Sequence, residues 1–343
     1  MKRMVYAPVV IPTLNRAEHL KRCLESLGKN TGAENTEVFV SVDYPPAEKY
    51  VAGYNQVKEM LNNMDFTCFK KIHIIYQTEN LGAMKNSEFL YNRAADISDR
   101  CIYTEDDNEF SPNFLEYINQ GLELFESDSD VIAICGARDT AWEAEGNSVL
   151  YTKLYAAYGV GFWFGKRKKV DMNITSVLLP EKLYGPRTMW KLFKRNRCLF
   201  NGYILGILCS DHGFFWRGAN DLRRCDSVYS MYMHLTDAVC IAPAIAKSRT
   251  WGNDGSGENM QKLDIDPEKQ WPLDKNQNFA YPAPDKLHYI KKNYSLGNTY
   301  MSIGQGLTTV KAILAYCAVL MCGRERERVL RLARFVKQKI KER

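Results

Sequence analysis

The stretch "VVIPTLNRAEHLKRCLESL", residues 9–27, decides the fold. It opens on three β-branched residues, Val9, Val10 and Ile11, which favour an extended backbone. After the polar Asn15-Arg16 step the apolar positions become Leu20, Cys23, Leu24 and Leu27, the spacing of one helical face. A strand over Val5–Pro12 and a helix over Ala17–Leu27 follow. The rhythm repeats through a strand at Thr36–Val42, a helix at Ala47–Asn62, the strand "KIHIIY" at Lys71–Tyr76, a helix at Gly82–Ala95 and a strand at Arg100–Thr104. Such alternation implies an α/β fold, a mainly parallel sheet with helices on both faces. Ligands of these sheets bind beyond the carboxyl ends of the strands. Asn15-Arg16, Asp43, Asn80-Leu81-Gly82 and the triplet Glu105-Asp106-Asp107 all fall at such ends, so polar residues are expected to converge on one edge.

Farther along, Pro112–Phe125 reads as a helix with Phe114, Ile118, Leu122 and Phe125 inward, and Val131–Cys135 as a strand. A Gly-aromatic stretch, "YAAYGVGFWFGKRKK", covers Tyr155–Lys169. Residues 171–208 look helical. Cys225–Met260 reads as helix, strand and Gly-rich loop, and 263–285 as irregular. Residues 306–322 are apolar, yet shorter than the roughly twenty residues a membrane-spanning helix needs, and they contain Lys311. In the tail, Val329, Leu332, Ala333, Val336 and Ile340 make a narrow stripe among basic residues. Two readings stay open: a helix lying on an anionic membrane surface, or one packed on the body by its stripe.

The formal net charge is +6, and the last twenty residues, with nine Lys/Arg and three Glu, hold all of it. A general nucleic-acid binder would spread basic residues over a face, so no nucleic-acid partner is expected. Ten scattered cysteines without a CxxC pair read as small core residues of a reducing compartment, and five dispersed histidines argue against zinc. The N-terminus runs straight into the first strand and does not read as a signal peptide. A cytoplasmic location is expected, with the tail allowing peripheral attachment to the inner face of the plasma membrane.

The triplet poses a physical question. Three neighbouring carboxylates repel one another, and an unpaired buried one is costly. Either water or a cation must reach them; a solvated acidic turn, with Asp or Asn capping the helix after "SPNF", also satisfies the pattern.

Taken in order, "VVIPTLNRAEHLKRCLESL", "VFVSVDYPP", "ENLG" and "YTEDDNEFSPNFLEY" resemble the nucleotide-sugar half of GT-A glycosyltransferases. The likeness is to inverting enzymes of the N-acetylglucosaminyltransferase I type and to bacterial family-2-like polysaccharide glycosyltransferases. The later stretches "YGVGFWFGKRKK" and "CDSVYSMYMHLTDAVCIAPAIAKSRTWG" resemble their acceptor half, so the likeness runs over about residues 5–260. It implies a Rossmann-like GT-A fold with additional C-terminal helices. By role it divides the chain into 1–110 for the nucleotide sugar, 111–300 for the acceptor and 301–343 as amphipathic basic helices.

The resemblance further implies a divalent Mn2+ or Mg2+ ion held by Asp107, with Asp106 on the ribose and Glu105 lining the site. Asp43 would meet a uracil ring, making the donor a UDP-sugar, and Arg16 would sit near the nucleotide. A helix-start Asp226 would take the proton from the acceptor hydroxyl, with Asp221 and Asp211 as fallbacks. Cys225 stands where the family often has an aromatic. Each residue also has a plain structural role available: Asp43 as a turn residue, Arg16 as a solvated helix start, Asp226 as an N-cap. Asn80 and Gly82 would let the backbone approach the donor, and Lys85 would face phosphate. Ser248–Asn259 would be a loop closing over the donor, and Phe162 or Trp163 a platform for a sugar or else core. The expected activity is metal-dependent, inverting transfer of a sugar to a hydroxyl of a glycan or lipid-linked saccharide in surface-polysaccharide synthesis. The rivals are a sugar-nucleotide nucleotidyltransferase, although "IPTLNRAEHL" lacks that class's glycines, and a non-catalytic nucleotide- or glycan-binding protein at a membrane.

Overall fold

The computed structural model describes residues 5–138, 148–177, 186–195, 200–201, 226–257, 262, 266–270, 272–283 and 288–289, with 310, 313, 314 and 317. They divide between two compact units. The first comprises Met1–Thr152, Ala156–Val170 and Val239–Tyr289; the second comprises Lys153–Tyr155, Asp171–Ala238 and Ile290–Arg343.

The first unit is built on one sheet. In chain order its front part is β1 (Val9–Thr13), α1 (Ala17–Gly28), β2 (Glu37–Val42), α2 (Val51–Asn63), β3 (Lys71–Tyr76), α3 (Gly82–Ala95) and β4 (Arg100–Tyr103). Then come β5 (Asn108–Phe110), α4 (Phe114–Leu124), β6 (Val131–Cys135), β7 (Val149–Thr152), β8 (Val160–Trp163) and α5 (Phe164–Val177), which runs on into the second unit. The nine-stranded sheet has the order β11-β7-β9-β6-β8-β4-β1-β2-β3, where β9 is Val239–Pro243 and β11 His288–Tyr289. β1 pairs parallel with both β2 and β4, and β2 with β3; β8 runs antiparallel between β4 and β6. Six of the nine strands therefore run one way, the mainly parallel sheet the alternation implied. A small second sheet joins β5 to β10 (Ser248–Thr250), antiparallel.

The core explains the register. Val9 and Ile11 of β1 pack with Val38, Val40, Leu20, Leu24 and Val57, so α1 and α2 cover that face. Val10, Leu90 and Ala94 are buried outside this cluster and belong to the other face, where α3 packs on β1 and β2.

Several expected boundaries move. The first strand starts at Val9 and not Val5, because the ladder to β2 begins at Val9↔Val38 and the Ala7 amide goes to Asn119 Oδ1, 2.7 Å. The second helix begins with a 3-10 turn at Glu48–Tyr50, and α4 begins at Phe114. Asn113 does not cap α4 with its side chain; its Nδ2 donates to Asp274 Oδ2 at 2.9 Å and to Asn278 O at 3.2 Å. That removes the capping explanation of "SPNF". The irregular 272–283 segment is pinned here, its Asp274 also ion-paired with buried Lys247.

In the second unit, α6 (Pro186–Arg195) packs on α7 (Asp226–Leu235). Buried Lys153 closes the carboxyl end of α7, donating to Met233 O at 2.8 Å, Thr236 O at 3.0 Å and Ala238 O at 2.9 Å. A helix's last carbonyls carry partial negative charge and lack internal donors, so a lysine there is stabilising. Tyr155 stacks on Tyr229, whose hydroxyl donates to Asp171 at 2.9 Å. The C-terminal stripe at 329–340, and with it the basic tail 324–343 for which a membrane contact is expected, lie outside the described residues.

Candidate active site

β1 and β4 are adjacent and parallel, so their carboxyl ends meet. From the end of β1 come Thr13 and Arg16, the latter at the N-cap of α1. From the loop after β4 come Asp106 and Asp107, both buried. Thr13 Oγ1 donates to Asp106 Oδ2 at 2.7 Å. The Arg16 guanidinium spans both acids: Nη1 donates to Asp107 Oδ2 at 2.8 Å, and Nη2 to Asp106 Oδ1. One cation thus faces two carboxylates, leaving the group one negative charge in excess. Burial holds the Asp106 carboxyl above the ordinary carboxylate range and the Asp107 charge adds to this, against the pull of Arg16 and Thr13. Burial disfavours the Arg16 charge, yet the two acids keep its pKa above the usual arginine value. Glu105 is half-buried, and its carbonyl lies 3.8 Å from Cys23 Sγ. Burial, then the two aspartates, push that thiol well up, so it is no nucleophile.

A third segment completes the site. β10 pairs with β5 in the register Thr250↔Asn108, which carries Thr250–Gly252 onto the acids. The Trp251 amide donates to Asp107 O at 2.8 Å, and Thr250 Oγ1 to Asp107 Oδ1 at 3.3 Å. A Cβ on Gly252 would lie 2.4 Å from Asp107 Oδ2, so only glycine lets the chain pass this close. The Trp251 indole donates to Glu109 at 2.7 Å, and Arg22 lies over the ring at 4.2 Å. His19 Nε2 sits 3.2 Å from Asp254 Oδ2. A cleft of about 880 Å³ between α1 and α2, bordered by Arg16, His19, Gln56, Met60 and Ser256, adjoins this group.

Asp43, at the end of β2, is buried and fully engaged. Its Oδ1 accepts from the Tyr44 and Leu81 amides, 2.9 Å each; its Oδ2 accepts from the Gly82 amide at 2.8 Å and Asn80 Nδ2 at 3.2 Å. A carboxylate has about four lone-pair directions; three serve the turn before α3 and the fourth takes the Tyr44 amide. Gly82 has φ +73°, which alone demands glycine, and the space where a Cβ would stand is open. Lys85 is exposed. Phe162 and Trp163 are buried in β8, with the Trp163 indole donating to Leu122 O at 3.2 Å; they are core and not a sugar platform.

Arg16, Asp106 and Asp107 come together as the sequence suggested, and Asp43, Asn80 and Gly82 form a second linked group. Asp226 is the first residue of α7 in the second unit, half-buried; Cys225, Asp221 and Asp211 lie outside the described residues. Of the proposed closing loop, residues up to Gly257 are described, and its first part is already tied to Asp107. Thr13 has no role in the sequence reading; Thr250 and Gly252 enter it only as members of the Gly-rich loop Ser248–Asn259.

The donor set is all oxygen, which suits Mg2+ or Mn2+. Among the described residues no three His, Cys, Asp or Glu side chains converge as a metal cage. An ion here would draw further oxygens from water or a bound diphosphate, the usual habit of magnesium. The residues fit that arrangement.

Residues 9–176, just under half the chain, match the glycosyl transferase family 2 model. This region runs from β1 through α5 and contains Arg16, Asp43 and both buried aspartates. The α/β architecture, a mainly parallel sheet with helices, is the one expected from the sequence. No curated protein matches. Among solved structures, the chain is similar to the mannosyltransferase PcManGT from Pyrobaculum calidifontis in complex with GDP-Man and Mn2+, with TM-score 0.32 and 15% identity over 48% of this chain. It is also similar to S. aureus TarS, with TM-score 0.32 and 14% identity over 53% of this chain. The chain covers 46% and 32% of those two structures respectively, and likenesses of this extent assign no role to any residue.

Proposed function

We propose that the protein is a metal-dependent, inverting glycosyltransferase that moves a sugar from a UDP-sugar to a hydroxyl of a glycan or lipid-linked saccharide. The observation that carries this reading is the buried pair Asp106–Asp107, ion-paired among the described residues with Arg16, inside the region matched by the family model. A site with excess negative charge is built to receive a cation.

In this reading Asp107 holds Mn2+ or Mg2+ together with the donor diphosphate. When bound, the ion neutralises charge on the departing diphosphate. Asp106 accepts from the ribose and Glu105 lines the donor site. Arg16, which pairs both acids, would give up Asp107 to such an ion and would lie near the nucleotide. Asp43 orders the Asn80-Leu81-Gly82 turn, and meets a uracil ring only where Asn80 yields its place on Oδ2. Asp226 takes the acceptor hydroxyl proton; the freed oxygen attacks the anomeric carbon from the face opposite the leaving UDP, which inverts the centre. The sequence division by role, 1–110, 111–300 and 301–343, belongs to the same proposal.

Bacterial surface-polysaccharide assembly at the cytoplasmic face of the plasma membrane is the setting we propose, with the basic residues 324–343 touching anionic lipid. No described helix is long and apolar enough to cross a membrane. A thermal-shift screen of UDP- and GDP-sugars with and without Mn2+ tests the reading. Stabilisation by a UDP-sugar only when Mn2+ is present is expected. Stabilisation by no nucleotide sugar, or equally without metal, overturns it.

A further inference from the structure

The charge of the chain is divided unevenly between its two compact units. The first holds twenty-four Lys/Arg and thirty-one Asp/Glu, a formal −7; the second holds twenty-two and nine, a formal +13. The +6 of the whole chain conceals this opposition. The second unit also exposes apolar side chains out of proportion to its described length. Met172 is 69% exposed, Trp190 58%, Val310 67%, Ile313 42% and Leu314 64%, half of the large hydrophobics so exposed among the described residues.

α6, "PRTMWKLFKR", buries Met189 and Leu192 and turns Trp190 outward among exposed Arg187, Lys191 and Lys194, with no acidic residue in the helix. Residues 310, 313, 314 and 317 are each helical and exposed, at the i, i+3, i+4, i+7 spacing of one helix face. The sequence then continues into the nine Lys/Arg of 324–343.

We propose that the second unit is a docking surface for an anionic lipid bilayer, in which Trp190 and the Val310–Ile313–Leu314 stripe enter the interface and the surrounding lysines and arginines meet lipid phosphates. This extends the membrane reading above, which named residues 324–343 alone, and rests on it for the choice of partner. Tryptophan ringed by cations suits the headgroup layer, and aliphatic side chains suit the acyl boundary. The aliphatic stripe decides against nucleic acid, whose phosphates reward cations but not Val, Ile or Leu. The first unit, net acidic, is repelled by the same surface within a Debye length, so attachment belongs to the second.

Flotation of the full chain tests this, using vesicles of phosphatidylcholine alone and with about one third phosphatidylglycerol. The wild type is expected to float with the anionic vesicles and not with the neutral ones. Ile313→Asp/Leu314→Asp is expected to lower partitioning about tenfold or more, and Trp190→Ser less, through lost interfacial burial. Removing 324–343 weakens attachment without abolishing it.

Recovery independent of phosphatidylglycerol overturns the proposal, as does loss on tail removal alone while the Trp190 and Ile313/Leu314 variants bind like wild type. So does capture by duplex RNA that survives the aspartate substitutions, which identifies a nucleic-acid surface. So too does lipid-free self-association that those substitutions dissolve, which identifies a second copy as the occupant. Should the aspartate pair unfold the chain, Trp190→Ser carries the test. UDP-sugar binding with Mn2+, read by thermal shift, is expected unchanged in every variant. Its absence even in wild type counts against the glycosyltransferase reading and leaves the lipid result standing.

Discussion

Arg16 and Gly252 make the acidic pair what it is. Arg16 gives each carboxylate one nitrogen, so it occupies the place a cation would take on Asp107. Arg16→Met is expected to tighten Mn2+ binding in the absence of nucleotide by about tenfold, the effect of removing one neighbouring charge, and to weaken UDP-sugar binding. Titration calorimetry with each ligand separately reads both, and an unchanged Mn2+ affinity removes Arg16 from this role. Gly252→Ala drives a methyl to within 2.4 Å of Asp107 Oδ2. The expected cost is about 1–3 kcal/mol of stability in urea melts, with donor binding lost beyond it. The triplet was conspicuous in the sequence because three adjacent acids at a strand end need an explanation. The resemblance gives its members unequal roles, but their unequal burial has no signal in the sequence. The structure separates them by burial, Asp106 and Asp107 inside and Glu105 half out.

The elements most legible in the sequence were those of the first hundred residues, where strands such as "VFVSV", Val38–Val42, are buried on both faces. The sequence reading has no strand at β7, at β8 within the Gly-aromatic stretch or at β11, and none at β5 and β10, three residues each, too short to show a period. Their pairing matters most, since it brings Thr250 to Asp107 across a sequence separation of 143. Residues 263–285 read as irregular; the structure has a short helix there, Pro267–Gln270, and the irregular strap 272–283, whose anchoring was invisible because Asp274 meets Lys247 and Asn113 from far off in the chain. Asp274→Ala leaves Lys247 buried without its partner and is expected to cost about 3–5 kcal/mol, whereas Lys247→Met/Asp274→Leu costs much less. A double-mutant cycle in urea checks this. Burial opposes the Asp274 charge, but bonds from Asn113 and Lys247 outweigh it and hold its pKa below the ordinary value. Its stabilising contribution is therefore complete above about pH 4 and lost as pH falls through the lowered pKa. The acid limb of the stability curve should flatten in the double variant.

The whole molecule combines a mainly parallel sheet, a net-acidic first unit and a net-basic second unit. Composition gave the total charge and missed the partition, because segments of the second unit are interleaved with the first along the chain. Metal alone is expected to stabilise the protein little, since no three-ligand cage exists among the described residues. Metal with donor at a hundredfold its dissociation constant adds about 2.7 kcal/mol by mass action. The most direct measurement is UDP release from UDP-sugars with Mn2+, comparing wild type with Asp107→Ala. The account predicts release by the wild type, dependent on the metal and abolished by the substitution. Equal release by both proteins, or release that ignores Mn2+, would contradict it.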